Sequence, residues 1–296
     1  MADRGRAPEP AVSVILPCHN AAATLGLAIR SLLRQSFADF ELLLLDDGST
    51  DGSAAIAAAI ADPRLHHVGD GCRRGLAARL NQGVSLARGR YVARMDADDV
   101  SFPERLARQT DFLDAHPDVD LLGCRAIVFR DDGHIIGLLP FAGTHEALCA
   151  RPWRGIPLPH PGWMGRREWF VRHRYRSPEV LRAEDQELLL RAAPSSRYAC
   201  LDEVLLGYRQ GRFGLRRTLL ARRSLLAAQC SLFRARRQWG NLAKACGLTA
   251  VKLVVDGCAA LPGGDVLFFR RMSAPPPATA VATLHACLHP DASPSP

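Results

Sequence analysis

The sequence predicts an α/β fold built around a mainly parallel sheet. In the first half of the chain, short apolar runs alternate with longer stretches in which apolar residues recur at helical spacing. The runs 12–16 and 40–45 are apolar at nearly every position, which is typical of strands buried on both faces. Strands that alternate with helices of this length form parallel sheets with right-handed crossovers, an arrangement typical of nucleotide-binding α/β units.

The individual elements follow from apolar periodicity and from capping and turn residues. Asn20 is the predicted N-cap of the first helix, and Ser101 with Glu104 forms a predicted capping box with Pro103 in the first turn. Residues 126–137 predict a hairpin, and 151–165, rich in Pro, Trp and Gly, predict an irregular segment that lines a site. The predicted strands are 12–16, 40–45, 65–68, 91–95, 119–123, about 198, and 204–208; the predicted helices are 21–35, one ending near 61, 75–88, 101–116, 167–173 and 183–193.

Composition divides the 296 residues into three parts. We expect a flexible tail over 1–11, an α/β domain over 12–210, and a basic helical appendage over 211–296 that ends in a mobile Pro/Ser-rich segment. Between Val204 and Val255 there are eleven Arg or Lys residues and no Asp or Glu, so the net charge of +8 comes from the appendage. A segment of this kind is able to meet the phosphates of lipid or nucleic acid.

Nine cysteines without a CxxC pair predict neither a zinc site nor a disulfide framework. The first ten residues lack the apolar core of a secretory signal. The most apolar late stretch, 248–269, is interrupted by Lys252, Asp256 and the Pro-Gly-Gly turn at 262–264, so no membrane span is predicted. We therefore expect a cytoplasmic protein.

Polar residues follow three predicted strands, at 17–20, 46–51 and 96–99. The carboxyl ends of parallel strands share one edge of the sheet, where ligands of α/β proteins usually bind. An acidic residue at the second strand end is able to accept hydrogen bonds from a base or a ribose. Asp96 and Asp98 are able to hold Mg²⁺ or Mn²⁺ together with a diphosphate; the alternative is a solvated turn, because Asp is common in loops.

Two common classes of nucleotide chemistry are disfavoured. The G-x-G-x-x-G fingerprint and the Walker lysine are both absent, and no lysine precedes Lys244. A nucleotidyltransferase, which usually places a lysine or a Gly-rich loop near the phosphates, is disfavoured for the same reason.

Six segments, in order, resemble the family 2 inverting glycosyltransferases of the GT-A fold, and the resemblance covers about 12–209. They are "VSVILPCHN", "LRQSFADFELLLLDDGSTDGS", "GLAARLNQGVSLARGRYVARMDADD", "SFPERLARQTDFLDAHP", "HPGWMGRR" and "AEDQELLLR". The resemblance implies a GT-A type fold and a nucleotide-diphosphate sugar as the donor substrate. Among such donors, a UDP-sugar is the leading expectation. The family's processive "QxxRW" element is missing, which favours a single transfer.

On the donor side, the resemblance implies a role for several residues. Asp47 is similar to the carboxylate that contacts the donor's base, with Pro17, His19 and Asn20 beside it. Arg74 or Arg79 would approach the diphosphate, and the two are not distinguished. Asp96 and Asp98 match the family's DxD element, with Asp98 as the direct ligand of Mg²⁺ or Mn²⁺ and Asp96 also near the donor.

On the acceptor side, Asp185 is similar to the family's catalytic base. The alternative is an ordinary acid in the first turn of a helix, where the macrodipole favours it. Glu184 either orients the acceptor or is solvated. The resemblance places His160 towards the acceptor or the metal, whereas a lone loop histidine is usually structural. Trp163, like Trp153, either stacks on a sugar or fills the core.

These inferences lead to one leading function and to open alternatives. The leading function is a metal-dependent inverting glycosyltransferase, of hexosyltransferase type, in cell-surface glycan assembly, with a glycan or a lipid-linked acceptor. The alternative is a non-catalytic protein on the same fold that binds nucleotide or a polyanion; no specific nucleic acid is expected as a partner. Residues 212–239 are either an amphipathic helix on anionic lipid or a helix that packs on the domain with its arginines in water.

Overall fold

The structure, a computed structural model of the chain, describes residues 9–180, 182–211, 214–261, 269, 272 and 274–289. Within these ranges the strands are β1 (Val12–Cys18), β2 (Phe40–Asp46), β3 (Leu65–Gly69), β4 (Tyr91–Arg94), β5 (Val100–Ser101), β6 (Leu121–Phe129), β7 (Ile135–Leu138), β8 (Met164–Arg166) and β9 (Tyr198–Arg209). The α-helices are α1 (Ala22–Leu33), α2 (Ser53–Ala58), α3 (Leu76–Leu86), α4 (Arg105–Ala115), α5 (His145–Cys149), α6 (Arg167–Arg172), α7 (Glu184–Ala192), α8 (Leu215–Ala235), α9 (Trp239–Ala259) and α10 (Ala278–Leu288).

The strands form one mixed sheet in the order β3-β2-β1-β4-β8-β6-β9-β5, with β7 paired to the side of β6. Strands β1 to β4 are parallel, and so are β6 and β9. The remaining pairs, which involve β5, β7 and β8, are antiparallel. Every residue of β1 and β2 is buried, which confirms the prediction of strands covered on both faces.

The register of the parallel strands positions the polar loops together. Cys18 pairs with Asp46, and Ile15 pairs with Arg94, the last residue of β4. The loops at 19–20, 47–52 and 95–99 therefore leave the sheet at one edge, as predicted.

Two predicted helix caps are wrong. Asn20 does not cap α1, because its side-chain oxygen accepts from Thr50 N at 2.8 Å, and Asp51 accepts from Ala22 N instead. Ser101 does not cap α4, because it belongs to β5 and pairs with Leu206 of β9. Asn20 and Ser101 instead contact loops or strands that are distant in the sequence. A capping pattern describes only neighbouring residues and does not predict such contacts.

The second half of the domain contains one strand where two were predicted, and it also contains α5 and β8, which were not predicted. The predicted strands near 198 and 204–208 are a single strand, β9, which pairs with β6 along its length. Cys124 pairs with Leu201 and Arg125 with Val204, so Asp202 and Glu203 form a bulge. These two acidic residues interrupt the apolar pattern without interrupting the strand.

The C-terminal appendage contains one helix that was not predicted. Helix α10 follows the proline-rich stretch, and its Leu284 is fully buried against Val100 and Phe129. The mobility of the Pro/Ser-rich end stays a prediction, because residues 290–296, like residues 1–8 of the predicted N-terminal tail, lie outside the described residues. No helix in the described ranges is both long enough and apolar enough to cross a bilayer.

Gly89, in the turn from α3 to β4, gives a prediction about stability. A Cβ atom at Gly89 would lie 2.6 Å from Ser13 N and 2.7 Å from Val12 C, both in the backbone of β1. We expect Gly89→Ala to lower the free energy of unfolding by about 1–3 kcal/mol, because backbone atoms have to move. Gly240→Ala is the control, since a Cβ there meets no atom within 4 Å. Urea unfolding of both variants measures the difference, and equal stabilities would contradict the expected clash.

Candidate active site

The loop after β4 gathers three carboxylates. Ligand atoms of Asp96, Asp98 and Asp99 lie within 4.8 Å of one another. Arg94 holds Asp96 with both terminal nitrogens, one of them 3.0 Å from Oδ2. Asp99 Oδ1 accepts from Arg209 N at 2.8 Å, whereas its Oδ2 is buried and has no hydrogen-bond partner among the described residues.

Two of these carboxylates, Asp98 and Asp99, have a raised pKa. Loss of water around the carboxyl group, followed by repulsion from Asp96, raises the pKa of Asp98 to about 6, even though the residue is exposed overall. The same two causes, with Asp98 added, raise the pKa of the buried Asp99 well above its usual range. A cation would relieve this repulsion.

The acidic loop fits Mg²⁺ or Mn²⁺, because both ions prefer oxygen ligands and the buried Asp99 Oδ2 lacks a partner. A solvated turn, the alternative interpretation, would not bury an unpartnered carboxylate oxygen. Sequence reasoning assigned the ion to Asp96 and Asp98 and not to Asp99, whose Oδ1 accepts a hydrogen bond from Arg209 N of β9.

Arg94 lies between the acidic loop and the acceptor-side residues. It is almost fully buried, and burial lowers its pKa, but attraction to Asp96, Tyr175 and Glu184 more than offsets this, so the pKa is raised. Arg94 was not among the predicted site residues. A charged residue inside an apolar strand, "YVARM", was the signal that could have identified it.

Just after the C-terminal end of β2, Asp47 forms hydrogen bonds that hold the segment 70–75 in place. Its Oδ1 accepts from Arg74 N at 2.6 Å and from Arg79 Nε at 3.1 Å, and its Oδ2 accepts from Gly75 N at 3.0 Å. Asp46 has a local role, since it accepts from Ser49 N and Oγ and closes the turn of "DDGS".

The structure separates the two candidate arginines. Arg79 is completely buried and also binds Asp70 and the carbonyl of Cys72, so its expected contact with a diphosphate is corrected to a role in positioning Asp47. The side chain of Arg74 is 58% exposed and ion-pairs only with Asp70 among the described contacts. Arg74 is therefore the one that is able to meet a ligand from solvent.

Hydrogen bonds join the loop after β1 to the loop after β2. His19 Nδ1 donates to the carbonyl of Asp47 at 3.0 Å, and Asn20 N donates to Ser49 Oγ at 3.0 Å. Asn20 has a positive φ of 51°, in the left-handed region that Asn tolerates. Pro17 is buried within β1, so it shapes the backbone and does not face solvent.

Glu184 and Asp185 begin α7. Loss of water, followed by repulsion from Asp185, raises the pKa of Glu184 to about 7. The pKa of Asp185 is also raised by loss of water, although hydrogen bonds from Gln186 oppose the shift. An ordinary first-turn acid in solvent would have its pKa lowered by the helix dipole, so both residues differ from that alternative.

His160 is buried in the wall beside these acids. Its Nε2 lies 2.7 Å from the hydroxyl of Tyr175, and its Nδ1 lies 4.0 Å from Glu184 Oε1. Burial and then the charge of Arg94 hold the pKa of His160 well below its usual range, so the ring is neutral and the contact with Glu184 is not an ion pair. Asn81 of α3 positions Tyr175, whose backbone N and O it binds.

The structure places Trp163 in the core and leaves Trp153 partly exposed. Trp163 is fully buried, packs against His160 and donates to Leu158 O at 3.1 Å, so its expected acceptor-side role is corrected to core packing. One face of Trp153 is covered by Lys244 of α9, with Nζ 4.4 Å from the ring centroid.

Comparison with known proteins agrees with this arrangement. The family model described as glycosyl transferase family 2 matches residues 13–174. The putative glycosyltransferase EpsE of Bacillus subtilis is 42% identical over 127 residues, which cover 42% of this chain and 46% of EpsE. The Escherichia coli protein WfgD, named a UDP-Glc:alpha-D-GlcNAc-diphosphoundecaprenol beta-1,3-glucosyltransferase, is 34% identical over 98 residues, which cover 33% of this chain and 39% of WfgD. The chain thus spans less than half the length of either relative.

A solved structure shares the fold. The mannosyltransferase PcManGT from Pyrobaculum calidifontis, in complex with GDP-Man and Mn²⁺, aligns with a TM-score of 0.60 at 19% identity, over 95% of this chain and 87% of PcManGT. The predicted GT-A architecture, with a mostly parallel sheet and C-terminal helices, is confirmed.

Proposed function

From the premise that this chain belongs to glycosyl transferase family 2, we propose that it moves a sugar from a nucleotide-diphosphate sugar to an acceptor hydroxyl with inversion. The observation that carries the proposal is the acidic loop at Asp96–Asp99, with its unpartnered buried oxygen, in electrostatic contact with the acids that begin α7. Glu184 interacts electrostatically with both Arg94 and Asp96, so the two acidic groups lie close enough to act on one substrate.

The donor nucleotide is proposed to lie over the ends of β1 and β2. Asp47 and the loop at 17–20 would contact the base and ribose, and Arg74 would approach the diphosphate. Asp47 Oδ2 accepts one backbone hydrogen bond and keeps capacity for another. UDP is the expected nucleotide, as the name of WfgD suggests, while PcManGT binds GDP-Man, so the base has to be measured.

Asp96, Asp98 and Asp99 would hold a Mg²⁺ or Mn²⁺ ion, which supplies Lewis-acid stabilisation of the charge on the departing diphosphate. Arg94 fixes the carboxylate of Asp96 through two nitrogens and so presents it in one orientation. Arg209 does the same for Asp99 and for the backbone of Asp98. A preorganised loop loses little conformational entropy when it binds.

Asp185 is proposed to be the catalytic base. It would accept the proton of the acceptor hydroxyl as that oxygen attacks the anomeric carbon from the side opposite the diphosphate. One displacement inverts the configuration, and no covalent intermediate is required. The raised pKa of Asp185 brings a carboxylate closer to the operating pH, which makes it a better base.

The proposed setting is assembly of a cell-surface glycan, with a glycan or lipid-linked acceptor such as the one in the name of WfgD. We place the protein in the cytoplasm, in peripheral contact with the inner face of an anionic membrane. All nine cysteines are free, which suits a reducing compartment.

Calorimetric titration with UDP, GDP, dTDP and CDP, with and without Mn²⁺, tests the proposal. We expect metal-dependent binding of one nucleotide and slow hydrolysis of the matching sugar donor. Metal-independent binding without any donor turnover would favour the alternative, a non-catalytic nucleotide-binding protein.

A further inference from the structure

The helices α8 and α9 form a hairpin that has a docked half and a free half. The docked half lies near the connection between the helices, where Gln229 donates to Pro152 O at 2.9 Å and Arg236 donates to the carbonyls of Leu190 and Arg191 at 3.0 Å. Phe233 is buried there, and Lys244 covers Trp153. These contacts attach the hairpin to the catalytic domain beside α7. The free half comprises 215–224 of α8, 248–259 of α9 and the two residues that follow α9, whereas Leu225 packs on the core of the domain.

The free half concentrates exposed apolar side chains. Of the twelve large apolar side chains that are exposed among the described residues, seven lie on it: Leu219, Leu220, Val251, Leu253, Val254, Val255 and Leu261. Val251, Val254 and Val255 recur at helical spacing and so share one face of α9. A groove of about 520 Å³ runs between the two helices, with Leu219, Leu226 and Leu253 in its walls.

The charge of the free half is positive. Arg216, Arg217 and Arg223 are exposed on α8, interleaved with Leu219 and Leu220. The single acidic residue between 214 and 261 is Asp256, which is buried and paired with Arg222 at 3.0 Å. The free half therefore presents arginine and aliphatic side chains and no exposed carboxylate in its described part.

An anionic bilayer matches this chemistry. Arginines meet the phosphates of the headgroups while valine and leucine enter the boundary of the acyl chains. A nucleic acid would satisfy the arginines but not the aliphatic stripe. A second copy of the chain would bring its own arginines against these, which is unfavourable.

The free half also begins near the active site. Strand β9 ends at Arg209, which binds Asp99 of the acidic loop, and α8 begins six residues later at Leu215. Six residues span at most about 20 Å even when fully extended. The start of the free half therefore lies within about 20 Å of Arg209, which binds the acidic loop.

We propose that the free half of the α8–α9 hairpin docks on an anionic lipid bilayer and holds the active-site edge of the sheet towards the membrane. The proposal of a membrane contact is argued from the exposed surface alone. The role of that contact, delivery of a lipid-linked acceptor to Asp185, rests on the proposed function.

Vesicle flotation of the full chain tests the docking. We expect the protein to float with phosphatidylcholine vesicles that contain phosphatidylglycerol, and to remain behind with phosphatidylcholine alone. The double variants Leu220→Asp/Val254→Asp and Arg216→Glu/Arg223→Glu should each bind the anionic vesicles at least roughly tenfold more weakly. The matched controls Leu86→Asp and Val171→Asp change side chains that are each 44% exposed elsewhere, and they should bind as wild type does.

Three outcomes would overturn the docking proposal. They are absence of flotation, equal binding to neutral and anionic vesicles, and a concentration-dependent dimer in sedimentation that the Leu220→Asp/Val254→Asp variant abolishes. Nucleotide titration of the same samples separates the two proposals, because the docking variants leave the acidic loop intact. Vesicle binding without nucleotide binding would retain the docking surface and reject the transferase.

Discussion

Asp185→Asn is expected to lower the turnover of sugar transfer by roughly 10²–10⁴-fold, the usual contribution of a general base, while donor binding stays close to that of the wild type. The amide keeps the shape of the side chain but cannot take the proton of the acceptor hydroxyl. Gln186 Nε2, which donates to Asp185 Oδ2 at 3.3 Å, also binds the carbonyl of Ile156, so its position does not depend on Asp185 alone. Initial-rate assays and nucleotide titration together measure the two effects.

The control for this variant is Asp118→Asn, the same change at an exposed carboxylate that pairs with Arg197 on the surface. It should transfer at the wild-type rate. Glu184→Gln tests the alternative base. Glu184 has a pKa of about 7 and is therefore the other acid able to exchange a proton near neutral pH. An inactive Glu184→Gln beside an active Asp185→Asn would move the role of base to Glu184, and an equal loss of transfer and donor binding in Asp185→Asn would reject the role altogether.

The pH dependence has a definite sign. A base has to be ionised to accept a proton, and the pKa of Asp185 is raised by loss of water. The rate of the wild-type enzyme should therefore rise as the pH increases through that pKa and then level off.

The donor edge of the sheet was predictable because it depends on local patterns. The apolar runs of β1, β2 and β4 fix where each strand ends, and parallel pairing then brings 17–20, 46–51 and 96–99 to one edge without any further information. Which side chains face a ligand was not predictable. Arg79 is buried and pairs with both Asp47 and Asp70, whereas Arg74 pairs with Asp70 and stays exposed.

The errors arose from contacts between distant parts of the chain. Ser101 has the sequence of a helix cap, but β9 recruits it into the sheet. Asp99 joins the acidic cluster because it meets Arg209, 110 residues later. Helix α10 follows a proline-rich segment with a weak helical signal, and it is stabilised by burial of Leu284 against β5 and β6. In each case tertiary burial outweighed local propensity.

Asp98→Ala is expected to abolish the Mn²⁺-dependent part of nucleotide binding and to lower transfer by at least roughly 100-fold, because stabilisation of the leaving diphosphate is worth several kcal/mol. Removal of this carboxylate leaves the buried Asp99 and Asp96, and Asp96 is already engaged by both terminal nitrogens of Arg94. Calorimetry with and without Mn²⁺ measures the loss.

Asp131→Ala is the matched control, since Asp131 is an exposed carboxylate that lies 3.4 Å from Nη1 of the same Arg209. It should keep metal-dependent binding. In the wild type, that binding should weaken as the pH falls below about 6, because a proton then competes with the ion at Asp98. Retention of the Mn²⁺ dependence in Asp98→Ala would mean that the ion is held outside the acidic loop, and the buried oxygen of Asp99 would then need a different partner.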